Sequence, residues 1–200
     1  MKKILSMVAV LLGLSACVGL QTSSEYLLRG DGYFKDGNLK KSLAAYDRAI
    51  ALNPNNLEAY ASRGSAHYFA GNYELAQQDF EYVLMKNSYQ ADAYGAYGSV
   101  LAARGDFEMA LKVLDVAIKF QPGKPENYFS RAGVYFMLGR FQEAIDDYSK
   151  VLELYPAADV YNARGAVYQR MGQSAMAKQD FDLANDEHIP ATLSVYSMIK

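Results

Sequence analysis

The sequence contains no tryptophan, one cysteine and two histidines. The lone cysteine, Cys17, excludes a disulfide within the chain, and two histidines offer little material for a metal site. The formal net charge is only −2, so the chain lacks the basic excess of nucleic-acid-binding domains. An apolar run at residues 4–14 spans 11 residues, whereas a membrane-spanning helix needs about 20. What the sequence has in quantity is tyrosine, with 17 in a chain of 200 residues that is about half apolar.

The first 17 residues have the order of a bacterial export signal. Two lysines precede the apolar run, and Leu14, Ser15, Ala16 and Cys17 follow it. This tetrapeptide resembles the lipobox of bacterial lipoproteins, in which a peptidase cleaves before the cysteine. The resemblance implies a signal peptide at residues 1–16, a diacylglycerol on the Cys17 thiol and an acyl chain such as palmitate on its amine. The alternative is a plain secretory signal with an incidental cysteine.

Residues 17–22 are then the lipidated cysteine and a short tether. Several acyl chains together hold a protein firmly, since each buried CH₂ contributes about 0.8 kcal/mol. Val18 follows the cysteine, whereas an aspartate there resembles an inner-membrane retention signal in lipoproteins of diderm bacteria. The resemblance therefore implies the outer membrane, with the protein facing the periplasm.

A repeat of about 34 residues runs through the rest of the chain. Its tyrosine column advances in steps of 34, 34, 34 and 33 residues: Tyr26, Tyr60, Tyr94, Tyr128 and Tyr161. A column of small residues keeps the same step: Gly30, Gly64, Gly98, Ala132 and Gly165. A third column is glycine throughout: Gly37, Gly71, Gly105, Gly139 and Gly172. A fixed period of this size indicates a solenoid of stacked units.

These columns closely resemble the tetratricopeptide repeat (TPR) family. The resemblance covers residues 23 to about 191 and implies an all-α fold, a right-handed superhelical solenoid of five helix-turn-helix repeats. The predicted repeats are 23–56, 57–90, 91–124, 125–157 and 158–191. We expect the apolar tail, residues 192–200, to cap the last repeat, and its alternative role is a dimer or partner contact.

Local chemistry in the first repeat agrees with two helices. Gly30 and Ser42 lack bulk, so two helix backbones can approach each other closely there. Gly37 suits a left-handed helix end. The second helix is expected to end near Leu52, because Pro54 cannot continue it.

An arginine precedes the small residue in four repeats, and three of these arginines have an aspartate sixteen residues later. We predict hydrogen-bonded pairs between the two helices of one repeat: Arg63 with Asp79, Arg131 with Asp147 and Arg164 with Asp180. The repeat without arginine has Tyr97, and there the later position is Val113. The alternative is an exposed arginine whose stem lies on a tyrosine. Either role is structural.

The resemblance implies that the first helix of each repeat lines a concave groove. The third repeat contributes small residues to that groove, and its neighbours contribute aromatic ones. We predict a partner-binding notch: Ser65, Tyr68, Phe69, Gly95, Ser99, Ala102, Phe129, Phe136 and Met137. The alternative is that these aromatic side chains pack between adjacent helices. Basic residues are scarce in the inner columns, so a clamp for chaperone carboxyl termini is not expected.

The sequence thus predicts a binding scaffold and not an enzyme, with no catalytic residue, no metal and no cofactor besides the lipid on Cys17. The expected partners are other proteins of the cell envelope, with no nucleic acid and with a homodimer possible. The resemblance implies several roles in the cell envelope, and of these we favour pilus or secretion assembly, because the array is bare and its tether short. The alternatives are a scaffold for peptidoglycan hydrolases or proteases and a self-associating structural subunit.

Overall fold

The computed structural model describes residues 21–193, and within that range it contains ten α-helices and no strand. The helices are α1 Ser23–Lys35, α2 Leu39–Leu52, α3 Leu57–Phe69, α4 Tyr73–Lys86, α5 Ala91–Arg104, α6 Phe107–Phe120, α7 Pro125–Met137, α8 Phe141–Leu154, α9 Ala158–Arg170 and α10 Ser174–Ala184. The expected signal peptide, Cys17 and most of the tail lie outside the described residues. The all-α prediction of five helix pairs is confirmed.

The chain divides into two compact units, residues 1–59 and residues 60–200. In the first unit, α1 begins with a capping box: Thr22 Oγ1 accepts from the Glu25 amide at 3.2 Å, and Glu25 Oε2 accepts from the Thr22 amide at 2.8 Å. A Cβ on Gly30 would collide with the ring of Tyr46, which is buried on α2. Gly37 has a φ of +72°, which lets the chain reverse between α1 and α2.

The second unit repeats this arrangement in the helix pairs α3 and α4, α5 and α6, and α9 and α10. In each pair, a large side chain of the second helix fills the space beside a small residue of the first. A Cβ on Gly98 would lie 2.6 Å from Leu114 Cγ, and one on Gly165 would lie 2.8 Å from Phe181 Cε1. Leu114 is fully buried, and Phe80 is nearly so. The small column of the sequence is therefore where paired helices approach each other.

Residues 190–193 close over the start of α9. The carbonyl of Pro190 accepts from the Ala158 amide at 2.8 Å, and the Asp159 carboxylate accepts from the Leu193 amide at 2.9 and 3.0 Å. The Leu193 side chain is buried in a core cluster that includes Val160. The described start of the tail thus covers part of the last repeat. None of the described helices combines the length and apolar composition that crossing a bilayer requires.

Candidate functional site

A cleft of about 390 Å³ lies on the second unit, between α5 and α7. Its floor is made of small residues: Ser99, Ala102, Ala103, Ser130 and Gly133. Its walls are made of larger residues: Tyr68, Phe107, Phe129, Val134, Phe136 and Met137. None of these lining residues carries a charge, so the cleft suits an uncharged, apolar group.

Hydroxyl groups on the floor are already hydrogen-bonded within the protein. Ser99 Oγ donates to the Gly95 carbonyl at 3.1 Å and lies 3.0 Å from Ser130 Oγ. The surface that the cleft leaves available is therefore mainly apolar.

The aromatic residues of the cleft walls pack against further aromatic rings outside the cleft. Phe129 packs edge-on against Tyr148 at 5.5 Å between ring centroids, and Phe136 lies 5.9 Å from Phe141. Tyr68 lies 5.8 Å from Tyr73. These side chains therefore pack between helices, as the alternative interpretation of the sequence expected, and they also line the cleft. Partner binding by them stays a prediction.

The structure brings six of the nine predicted notch residues into the cleft: Tyr68, Ser99, Ala102, Phe129, Phe136 and Met137. Phe69 lies beside Tyr68 and is about half exposed, but it does not line the cleft.

The other two predicted residues, Ser65 and Gly95, also lie outside the cleft lining. Ser65 Oγ donates to the Ala61 carbonyl at 3.1 Å. Gly95 is buried, because the amide side chain of Asn127 occupies the space above it. Asn127 follows two alanines in its repeat column, which reads Glu25, Ala59, Ala93, Asn127 and Val160, and this change was the available signal that the third repeat leaves extra room there.

Five lining residues lie outside the nine predicted ones: Ala103 and Gly133, which stand in the inner columns of the repeat, and Phe107, Ser130 and Val134, which do not. Ser130 and Val134 lie three or four residues from Met137 or from each other on α7, so helical spacing was a usable signal. Phe107 is the first residue of α6, and no signal in the first-helix columns included it.

All three predicted arginine–aspartate pairs have bidentate geometry. Their N···O distances are 2.9 and 2.6 Å for Arg63 and Asp79, 2.7 and 2.7 Å for Arg131 and Asp147, and 2.9 and 2.8 Å for Arg164 and Asp180. The three aspartates are buried. Hydrogen bonds to Asp147 and Asp180 raise the pKa of the two later arginines above its usual range, although burial acts against this.

The arginine column also makes contacts with the preceding repeat, and the sequence pattern did not predict these contacts. Arg131 Nη1 lies 2.6 Å from Asp115 Oδ1, and Arg164 Nη1 donates to Ser149 Oγ at 2.9 Å. Tyr97, which replaces the arginine in the third repeat, donates to Glu81 Oε1 at 2.7 Å. Burial and then this hydrogen bond raise the pKa of Tyr97 to about 12. These contacts are structural and join one repeat to the next.

Among residues 21–193, no group of three histidine, cysteine, aspartate or glutamate side chains is placed to hold a metal ion.

Comparison with known protein families gives four matches along the chain. A family described as TPR repeat matches residues 30–71, and families described as tetratricopeptide repeat match residues 62–125, 125–157 and 158–186. Human tetratricopeptide repeat protein 13 is 37% identical over 68 residues. That match spans 34% of this chain and only 8% of the human protein.

Solved structures with the same fold cover most of the chain. A thermophilic TPR protein of Thermus thermophilus superposes with a TM-score of 0.73 and 21% identity, over 82% of this chain and 90% of that one. MamA from Desulfovibrio magneticus RS-1 gives 0.71 and 20%, over 81% and 92%. YrrB, described as a TPR protein with an unusual peptide-binding site, gives 0.62 and 22%, over 86% and 89%. At such identities the likeness concerns the fold alone.

Proposed function

Because the chain belongs to the tetratricopeptide repeat family, we propose that it is a protein-binding adaptor whose cleft between α5 and α7 holds an apolar segment of a partner protein. The observation that carries this proposal is the cleft itself: a floor of small residues between aromatic walls that are already fixed by neighbouring rings. A preformed apolar pocket of this kind accepts a bulky anchor side chain at low entropic cost. YrrB, which shares the fold, is described as having a peptide-binding site, which supports a peptide segment as the occupant.

We further propose that the adaptor is held at the outer membrane by lipid on Cys17 and faces the periplasm. The support is the lipobox-like Leu14-Ser15-Ala16-Cys17. The five residues between Cys17 and α1 reach at most about 17 Å when extended, which keeps the first repeat near the bilayer. The proposed partners are therefore proteins of an envelope assembly. Pilus or secretion machinery is the favoured setting, and a peptidoglycan hydrolase or protease complex is the alternative.

Crosslinking from the cleft tests the adaptor role. A photo-crosslinking amino acid at Met137 faces the cleft, and one at Met176 on α10 is a matched control, because both methionines are exposed. We expect the Met137 crosslinker to capture one envelope protein in living cells and the Met176 crosslinker not to capture it. Introducing Ala102→Phe, which fills the floor of the cleft, should abolish that capture.

Two crosslinking results would contradict the adaptor role. Capture that survives Ala102→Phe would show that the cleft is not the binding site. Capture only of other copies of this chain would favour a self-associating subunit. The anchor is tested separately: exchanging residues 1–17 for a cleavable secretory signal without a lipobox should move the protein from the membrane fraction to the soluble fraction, and mass spectrometry of the unaltered protein should find acyl chains on Cys17.

A further inference from the structure

The outer face of α1, in the first unit, carries a glycine that the packing of this unit does not require. Gly32 lies within α1, and a Cβ added to it would meet no atom of the described residues within 4 Å. Glycine is a poor helix former, so its place in a helix usually has a packing reason. Gly30 has such a reason, because the ring of Tyr46 fills the space beside it. Gly32 instead leaves an open hollow on the surface of α1.

At the position of Gly32, the later repeats bury a side chain against the repeat before them. Val100 on α5 belongs to a core cluster with Phe80 of α4, and Val134 on α7 belongs to one with Leu114 of α6. Within the described part of the chain, no repeat precedes α1. The face of α1 that corresponds to a repeat contact is therefore open to a second molecule.

Leu28 stands one turn before Gly32 on this face, and its side chain is 70% exposed. Its counterparts in the later repeats are small residues: Ser62, Ala96, Ser130 and Ala163. The terminal repeat of a solenoid normally presents a polar outer face, so a large apolar side chain is unexpected there. A protruding leucine beside a hollow is complementary to a reversed copy of itself.

Charged residues extend this face at both ends. Glu25, Leu28, Gly32 and Lys35 are exposed and lie three, four and three residues apart, the spacing with which one helix faces another. We call these four residues the outer line of α1. Its two ends have opposite charges, so the line is self-complementary for an antiparallel partner and not for a parallel one.

We propose that the outer line of α1 binds the outer line of a second copy of this chain, in an antiparallel pair with two-fold symmetry. When the two helices are aligned at Gly30, Leu28 of each copy enters the hollow at Gly32 of the other. Glu25 of each copy then lies beside Lys35 of the other, so two apolar layers stand between two outer ion pairs. A parallel pair would place Glu25 against Glu25 and Lys35 against Lys35.

The other charged residues of α1 flank this line. The two copies of Arg29 lie on one side of the two-fold axis, and each guanidinium is held over the ring of Tyr26 of its own copy, 5.1 Å from the centroid. Asp36 lies on the same side and offers a counter-charge to Arg29 of the other copy. On the opposite side, Asp31 Oδ1 accepts from the Tyr46 hydroxyl at 2.9 Å. The flanking charges are thus engaged away from the outer line.

The size of the contact makes the proposed anchor relevant to it. The outer line spans residues 25–35, about 15 Å of helix, so the contact area is small for a stable dimer. Chains that a lipid on Cys17 confines to one membrane meet at a high effective concentration, and in this respect the inference rests on the proposed function. A tether of at most about 17 Å on each chain lets both lipids reach one bilayer when the paired helices lie along its surface.

Disulfide formation between two variants tests the pairing and its direction. Full chains carrying Leu28→Cys or Gly32→Cys are produced in a lipoprotein-processing host, and their lipid on Cys17 is verified by mass. They are then mixed in phosphatidylethanolamine vesicles and oxidised. The lipid blocks the thiol of the natural cysteine, so only the introduced thiols react.

We expect at least about five times more of the mixed disulfide than of either homodimer, because only positions 28 and 32 face each other across the antiparallel pair. Two copies of position 28 are offset by about 6 Å along the helices, which disfavours a disulfide between them. Leu75→Cys with Met109→Cys is the matched control, at sites that are 46% and 50% exposed on α4 and α6. The control pair should form disulfides only in the statistical proportion.

Charge reversal tests the ion pairs at the ends of the outer line. Lys35→Glu in both cysteine variants places a carboxylate opposite each Glu25 and should lower the yield of the mixed disulfide about fivefold. Lys35→Glu in one variant and Glu25→Lys in the other forms both ion pairs again with reversed polarity and should restore the yield. Glu25→Lys also removes the capping box of α1, so circular dichroism checks that this variant stays helical.

Three results would overturn the pairing: a mixed disulfide at no more than the statistical proportion, an excess of either homodimer, or a yield that Lys35→Glu leaves unchanged. The adaptor role is read separately, from capture by the Met137 crosslinker. If Cys17 carries no lipid, the proposed anchor fails, and the same variants are oxidised at high concentration in solution, in the form with the exchanged signal, which lacks Cys17. An excess of the mixed disulfide there would support the pairing without the anchor, and no excess would overturn it.

Discussion

The close approach of α5 and α6 at Gly98 predicts that a single added methyl group destabilises the protein. A Cβ at this position would lie 2.6 Å from Leu114 Cγ and 2.8 Å from Leu114 Cδ2. Carbon atoms pack at about 3.5–4.0 Å, so the overlap is about 1 Å. Leu114 is fully buried, and protein interiors are close-packed, so its side chain can give way only at an energetic cost.

The magnitude follows from two opposing effects. Because the overlap is about 1 Å, we place the overpacking cost in the upper part of the usual range, at about 2–3 kcal/mol, and replacing a helical glycine by alanine returns about 1 kcal/mol of helix propensity. For Gly98→Ala we therefore expect the free energy of unfolding to fall by about 1–2 kcal/mol. In thermal denaturation followed by circular dichroism, Tm should fall by roughly 2–8 °C.

Gly133→Ala is the matched control, because Gly133 also lies within a helix but has room for a methyl group. The nearest heavy atom to an added Cβ there is Tyr148 Oη at 3.9 Å. We expect this variant to gain about 0.5–1 kcal/mol from helix propensity. A Gly98→Ala protein as stable as the unaltered chain, or a Gly133→Ala protein that is equally destabilised, would refute the close-approach reasoning.

Three further predictions concern the same unit. Asp180→Ala leaves the partly buried Arg164 without its bidentate partner, so it should lower the free energy of unfolding, measured in urea, by roughly 2–3 kcal/mol. Asp182→Ala is the control: it removes an exposed ion pair and should lower the same quantity by less than about 1 kcal/mol. Burial, and then the charge of a neighbouring aspartate, raise the pKa of Tyr148 from 10.0 to about 12. The raised pKa contributes at most about 3 kcal/mol to the free energy of unfolding; this contribution is complete below pH 10 and is lost as the pH rises toward 12, so Tyr148→Phe should flatten the dependence of stability on pH in that window. Gly105 has a φ of +86°, so Gly105→Ala should lower the free energy of unfolding by about 1–2 kcal/mol, measured in the same way.

The repeating parts of the fold could be predicted because each residue has a local or in-register cause. Gly37 and its counterparts have positive φ, as a left-handed helix end requires. Asn56 accepts from the Ala59 amide at 3.1 Å and so caps α3. The pairing of Arg63 with Asp79 followed from a constant spacing of sixteen residues, which places both side chains at the contact of two helices.

The features that could not be predicted lie where the sequence departs from the repeat. Asn127 fills the space above Gly95, so this glycine supports a polar side chain and does not form the floor of the cleft. Asp159 stands in the first turn of α9, where an acidic residue suits the helix terminus, but its carboxylate also holds the Leu193 amide. Such contacts depend on three-dimensional neighbours that no column of the repeat contains.

Arg131 contacts the preceding repeat as well as its own, and this affects how the second unit unfolds. Its guanidinium binds Asp147 in its own repeat and Asp115 in the preceding one, so one side chain contributes to a repeat and to the boundary before it. In a linear array, stability is approximately the sum of repeat terms and nearest-neighbour terms. Shared side chains strengthen the neighbour terms, which makes fraying of single repeats costly. The third and fourth repeats should therefore open together, and the cleft that they build should be either intact or lost as a whole.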